Sequence, residues 1–99
     1  IMEILKFEWD PEKNEINKQK HGMSFETARQ VFYDDFAIMF DDPEHSDEED
    51  RFLVIGTIDS GKICIVSHCY RDRGSDNVIR IISARKATNK ERGFYMKGW

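Results

Sequence analysis

The sequence lacks the features of several protein classes. It has no apolar run long enough to span a membrane and no stretch resembling a secretory signal peptide, so we expect no membrane attachment. Only two cysteines occur, and a spacing of five residues in one predicted strand separates Cys64 from Cys69 by roughly 16 Å, beyond disulfide reach. Reduced cysteines indicate a cytoplasmic protein.

One segment lacks positive charge entirely. Residues 34–50 carry nine Asp or Glu and no Lys or Arg, whereas residues 1–33 carry five basic and six acidic residues. Residues 51–99 carry ten basic and four acidic residues, so the net charge of −4 hides a basic C-terminal half. Such a half permits contact with nucleic acid, although basic surfaces often face only solvent.

The length of 99 residues predicts one domain, which we place at residues 2–99 because we expect Met2 to be the natural first residue. Strands are predicted over residues 3–9, 36–40, 51–58, 62–70 and 78–84. Short turns link the last three strands and indicate antiparallel neighbours. With helices near both ends, the order β-α-α-β-β-β-β-α predicts an α+β fold built on an antiparallel sheet.

Capping signals locate the helices. Asp10 and Pro11 predict the start of the first helix, and Gly22 predicts its end. Ser24 predicts the cap of a second helix with an apolar stripe. Thr88 and Glu91 form a capping box at the start of the closing helix.

Four arginines lie at strand ends or on the sheet surface and so are candidates for one phosphate-binding surface: Arg51, Arg71, Arg80 and Arg85. The alternative is that each pairs with an acid, Arg51 with Glu48 or Glu49 and Arg80 with an acid across the sheet. Strict alternation places Arg80 and Arg85 on opposite faces of the last strand. They serve one site only if that strand ends or bulges near Ser83.

The three histidines do not predict a metal site. His21, His45 and His68 have spacings that match no ligand pattern, and neither cysteine adds a close ligand. His68 on a sheet face is typical of a buried, hydrogen-bonded histidine. His21 at a helix C-terminus is stabilised in its charged form, which suits a structural role as well as acid catalysis.

Motifs along the whole chain resemble those of the BrnT toxin family. The N-terminal half carries Phe7-Glu8-Trp9-Asp10-Pro11, Asn17, Lys20-His21-Gly22, Phe25, Ala28 and Val31-Phe32. The C-terminal half carries Arg51-Phe52, Ile55-Gly56, His68, Arg71, the unbroken run from Ile79 to Thr88, and Glu91-Arg92. One departure is Asp50, at a position where the family tends to have Glu.

The resemblance implies a toxin of a bacterial type II toxin–antitoxin pair with a RelE-like ribonuclease fold. It also implies RNA cleavage that blocks translation, and a BrnA-like antitoxin whose ribbon-helix-helix region binds operator DNA. RelE-like enzymes cut RNA without metal or cofactor by attack of the 2′-hydroxyl, which requires cations and proton-transfer groups.

This sequence offers candidates for each part of that chemistry. The cations are Arg71, Arg80 and Arg85, and the proton-transfer candidates are His21 and His68. Further RNA contacts are assigned to Lys20, Arg51 and Lys86. Two alternatives remain, a non-catalytic RNA-binding module and a purely structural partner subunit.

Overall fold

The computed structural model describes residues 4–45 and 49–97. The elements are β1 (Lys6–Glu8), α1 (Pro11–His21), α2 (Phe25–Ala28), a first 3-10 helix (Arg29–Tyr33), β2 (Ile38–Asp41), a second 3-10 helix (Pro43–His45), β3 (Phe52–Thr57), β4 (Ile63–Arg73), β5 (Asp76–Lys86) and α3 (Asn89–Lys97). The predicted α+β fold and element order are confirmed. Met2, the predicted first residue of the domain, and Glu48, a predicted partner of Arg51, lie outside the described residues. None of the helices in the two described ranges is long and apolar enough to cross a membrane.

The five strands form one sheet in the order β1-β5-β4-β3-β2. Strands β2 to β5 are antiparallel neighbours, but β1 runs parallel to β5, with Phe7 opposite Ile79. The predicted antiparallel pairing is confirmed for β2 to β5, and the parallel edge strand β1 makes the sheet mixed. Tight hairpins force antiparallel pairing, whereas the long connection between β1 and β5 allows a parallel pair.

Helix α1 begins and ends at the predicted residues. The Asp10 Oδ1 accepts a hydrogen bond from the backbone N–H of Glu12 at 2.9 Å, and Pro11 occupies the first turn. Gly22 ends the helix in the left-handed conformation, with φ of 68°. The apolar Ile16 is 54% exposed, while the buried residues of the helix are asparagines. Polar side chains therefore attach this helix to the rest of the domain.

Asn17 attaches α1 to β5 beyond the point where β1 ends. Strand β1 pairs only with residues 78–80, whereas Asn17 Nδ2 donates to Ala84 O at 2.8 Å and Oδ1 accepts from Ala84 N at 3.1 Å. The same Nδ2 donates to Met23 O at 2.9 Å. The side-chain amide thus takes the place of a neighbouring strand and satisfies buried backbone groups.

One face of the sheet, called here the helical face, packs against α2 and the first 3-10 helix. Phe25, Ala28 and Val31 are fully buried there, as the apolar stripe predicts. Ser24 caps α2 by accepting a hydrogen bond from Thr27 N at 3.1 Å. Gly56 of β3 permits close packing, because a Cβ at this position would lie 3.1 Å from Val31 O.

Helix α3 covers part of the opposite face. Ile55, Ile63, Ile65 and Ala87 form a second small core, and Tyr95 packs against it. The Tyr95 hydroxyl also donates to Asp34 Oδ2 at 2.6 Å. Beyond this core the face carries polar and charged side chains, and these form the candidate site.

A bulge in β5 reverses the alternation of its side chains. Ser67 of β4 pairs with Ser83, but His68 pairs with Ile81, so Ile82 is an extra residue. Ile79 and Ile81 therefore lie in the helical-face core with Ala84, whereas Ile82 lies on the opposite face. Strict alternation of side chains along β5 predicts the wrong faces, because one inserted residue exchanges the two faces of the strand.

Candidate functional site

The bulge places Arg80 and Arg85 on the same face of the sheet. Their partners on β4, Cys69 and Ile65, are four residues apart on a regular stretch and therefore point the same way. Arg71 lies two residues beyond Cys69 on β4 and therefore points to the same face. Together with Arg51, which precedes β3, these side chains form a surface that we call the arginine face. The condition set by the sequence, a bulge near Ser83, is met.

Arg80 is held by Glu8 of β1, its neighbour across the parallel pair. Its Nη1 lies 2.5 Å from Glu8 Oε2. Arg73 binds both oxygens of the same carboxylate, each at 2.8 Å. The hydrogen bond from Arg73, reinforced by that from Arg80 against the opposing effect of desolvation, lowers the pKa of Glu8 to about 2. The carboxylate is therefore ionised at neutral pH.

Arg85 is held by the first turn of α3. Its Nη1 and Nη2 donate to the two oxygens of Glu91 at 2.8 and 2.9 Å. The same Glu91 completes the predicted capping box, since its Oε1 accepts from Thr88 N at 2.8 Å. The Arg85 hydrogen bonds are the largest cause that lowers the pKa of Glu91 to about 2, against desolvation. One carboxylate thus caps the helix and orients an arginine.

Arg71 pairs with Glu49, which lies near the end of the acidic segment before β3. Glu49 Oε1 accepts from Arg71 Nη2 at 3.1 Å. Cys69 is buried beside this pair, and burial, together with the negative charge of Glu49, raises the pKa of its thiol. The thiol is therefore protonated at neutral pH and is a poor nucleophile. Three arginines of the face, Arg71, Arg80 and Arg85, thus each have a carboxylate partner.

A pocket of about 360 Å³ opens on this face between the second 3-10 helix and strands β3 to β5. Its lining combines two arginines, a histidine, two acids, two serines and three apolar residues: Arg51, Arg85, His45, Asp42, Glu44, Ser67, Ser83, Leu53, Ile65 and Ile82. His45 Nδ1 lies 3.0 Å from Asp42 Oδ2. The pocket therefore brings an acid–histidine pair beside two guanidinium groups.

His68 lies on the other side of the sheet. It is 0% exposed and packs against the rings of Phe32, Phe52 and Tyr70 on the helical face. Its Nδ1 lies 3.4 Å from Val66 O. Burial lowers the pKa of His68 to about 4, with a small opposing effect of that hydrogen bond. This histidine is neutral at pH 7 and is out of reach of a ligand on the arginine face.

Arg71 and Arg80 lie on the arginine face but do not line the pocket, and the other predicted residues also lie outside it. Lys20 and His21 are exposed in the last turn of α1. Lys86 is exposed at the end of β5, where alternation turns it to the face opposite Arg85. In the part of the chain that the structure describes, no group of three or more His, Cys, Asp or Glu is placed to hold a metal ion.

Several features of this site escaped the sequence analysis. Arg80 does have an acid partner across the sheet, but the identity of that acid, Glu8, depends on the parallel strand β1, which nothing local specifies. The Arg85–Glu91 pair was not predicted, because Glu91 was assigned only to the capping box. His45 offered one signal, the spacing of three residues from Asp42, which brings the two side chains together on a single helical turn.

Comparisons with known proteins identify the family of this chain. A sequence profile for the family "Ribonuclease toxin, BrnT, of type II toxin-antitoxin system" matches residues 9–91. The 1.1 Å crystal structure of the ribonuclease toxin BrnT from Brucella abortus is similar, with a TM-score of 0.61 at 26% sequence identity, over 87% of this chain and 100% of that chain. No curated protein sequence matches. The chain belongs to the BrnT family of ribonuclease toxins of type II toxin–antitoxin systems.

Proposed function

We propose that this toxin cleaves RNA without a metal, by attack of a ribose 2′-hydroxyl on the adjacent phosphate, and that the cleavage blocks translation. This is the chemistry of RelE-like ribonucleases. The observation that carries the proposal is the β5 bulge, which gathers Arg80 and Arg85 on one face with Arg51 and Arg71. Four guanidinium groups on one surface suit the backbone of single-stranded RNA.

The arginines have a defined part in this reaction. As the 2′-oxygen approaches phosphorus, negative charge grows on the non-bridging oxygens, and fixed cations that bind those oxygens lower the barrier. Arg80 and Arg85 now bind carboxylates, and a phosphate presents a similar pair of oxygens to a guanidinium. Glu8 and Glu91 therefore keep the guanidinium groups oriented until RNA competes for them.

The antitoxin partner follows from family membership, and its form belongs to the proposal. We expect a BrnA-like protein with a ribbon-helix-helix region, so that operator DNA is bound only through the antitoxin. The antitoxin segment that covers the arginine face should offer carboxylates that compete for its guanidinium groups, or should fill the pocket. This pair would act in the cytoplasm, where RNA and reduced cysteines both occur.

Replacing Arg80 with Ala tests the proposal. We expect the purified variant to cleave RNA about 100- to 1,000-fold more slowly, as for loss of a transition-state donor, and its expression no longer to arrest growth. Glu8 keeps Arg73 as a partner, so the fold should persist. Arg29→Ala is the matched control, because Arg29 is exposed on the first 3-10 helix against the helical face.

The ion pairs favour a competing interpretation, in which the arginines only hold the domain together or hold RNA without cutting it. An Arg80→Ala variant that melts at the wild-type temperature and still arrests growth fully would refute the phosphate-binding role. Purified protein that binds RNA but leaves it intact would identify a non-catalytic module.

A further inference from the structure

We propose that His45, oriented by Asp42, is the general base that takes the 2′-hydroxyl proton in the pocket beside Arg51 and Arg85. This inference rests on the proposed function and assigns the proton-transfer group that it requires. The two histidines that the sequence suggested for proton transfer, His21 and His68, do not line this pocket. His45 does, and it is 60% exposed at the side chain, so a ligand can reach it.

The pocket has the size and chemistry of a site for part of an RNA strand. Its volume of about 360 Å³ falls in the range of small-ligand sites, about 300–1,000 Å³. Arg51 and Arg85 supply positive charge for a phosphate, and the hydroxyls of Ser67 and Ser83 can exchange hydrogen bonds with ribose. No other histidine lines this pocket.

Asp42 gives His45 the tautomer that a base requires. When Nδ1 carries the proton and donates it to the Asp42 carboxylate, Nε2 keeps the lone pair that can accept a proton. The carboxylate also stabilises the imidazolium that forms, as the acid does in other acid–histidine pairs. Asp42 is 13% exposed at the side chain against 60% for His45, so the acid is fixed while the imidazole faces the ligand.

The backbone holds this pair close to Arg51. Asp42 N donates to Arg51 O at 2.9 Å, which joins the end of β2 to the start of β3. His45 N donates to Asp42 O at 3.2 Å within the 3-10 turn. Two backbone hydrogen bonds thus fix the backbone of His45 relative to that of Arg51, which precedes the neighbouring strand.

The reaction needs only these side chains and solvent. His45 Nε2 takes the proton of the 2′-hydroxyl, the 2′-oxygen forms a bond to phosphorus, and the bond from phosphorus to the 5′-oxygen breaks with its electron pair on that oxygen. The 5′-oxygen takes a proton from solvent and the imidazolium releases one to solvent. The products are a 2′,3′-cyclic phosphate and a 5′-hydroxyl. Arg51 and Arg85, which line the pocket, bind the charge that develops on the non-bridging oxygens, together with Arg80 from the same face of the sheet.

The test measures cleavage of an all-RNA oligonucleotide by purified wild-type protein and by H45A, D42N and H21A. We expect H45A to lose about 100- to 10,000-fold in kcat with KM little changed, the usual contribution of a general base. Added imidazole should restore part of the H45A rate, which a merely structural histidine would not allow. D42N should lose less, because Asp42 only positions the ring, and an exposed α1 variant, K13A, should cleave as wild type does.

Two results would overturn this assignment while leaving the proposed function intact. One is an H45A protein whose kcat stays within about twofold of wild type, far inside the expected general-base effect. The other is an H21A protein that loses the activity and recovers it with imidazole. A wild-type protein whose products end in a 5′-phosphate would instead overturn the proposed function, and this inference with it.

Discussion

Replacing Asn17 with Ala should destabilise the domain strongly, although Asn17 lies outside the site. The change removes three hydrogen bonds, two to the backbone of Ala84 and one to Met23 O. At about 1 kcal/mol each, their loss lowers the free energy of unfolding by about 3 kcal/mol. For a domain of this size that corresponds to a fall in Tm of on the order of 15 °C.

Urea unfolding followed by circular dichroism measures this effect directly. The matched control is Asn77→Ala, because Asn77 is exposed near the turn between β4 and β5, and its removal should change the free energy by less than about 0.5 kcal/mol. Asn17→Asp adds a second test, since it keeps the acceptor for Ala84 N but loses both donors. An Asn17→Ala protein as stable as the Asn77→Ala control would refute the role of this amide in closing the edge of β5.

Two further predictions concern charge and pH. Glu8→Gln should lower the free energy of unfolding at pH 7, because it removes the ion pairs with Arg73 and Arg80. The loss should be only about 1–2 kcal/mol, because solvent screens these partly exposed pairs. Since the pKa of Glu8 is lowered to about 2 from 4.5, its contribution exists above pH 4.5 and is lost as pH falls, so urea melts of the two proteins should converge near pH 2. Equal stability at pH 7 would contradict this account. The pKa of His68 is lowered to about 4 from its usual 6.5, so protonation favours the unfolded chain. The free energy of unfolding should therefore fall by about 2 kcal/mol between pH 7 and pH 5. His68→Phe should abolish that part of the pH dependence, and an unchanged slope in urea melts from pH 7 to 5 would refute the assignment.

Local signals predicted the local structure well. The caps at Asp10, Ser24 and Thr88 and the end at Gly22 are all confirmed, because each depends on a few adjacent residues. The hairpins are confirmed for the same reason. The parallel pairing of β1 was not predictable in this way, because a strand of three residues carries no sign of its direction.

The site was predicted in part, and the bulge explains why. The arginines were identified as residue types, but their common face depends on Ile82, a residue with no distinguishing local pattern. Their carboxylate partners come from β1, the segment before β3 and α3, which tertiary structure alone brings together. The interpretation of His68 as a buried histidine on a sheet face agrees with its complete burial among the rings of the helical face.

The most direct test of the central claim is cleavage of two matched oligonucleotides by the purified toxin. One is all RNA, and the other carries a single 2′-deoxyribose on the 5′ side of the scissile phosphate. Attack by the 2′-hydroxyl predicts that the first is cut to a 2′,3′-cyclic phosphate and a 5′-hydroxyl in the presence of a chelator, while the second stays intact at that position. Cleavage of the deoxy-substituted strand at the same phosphate would contradict the mechanism.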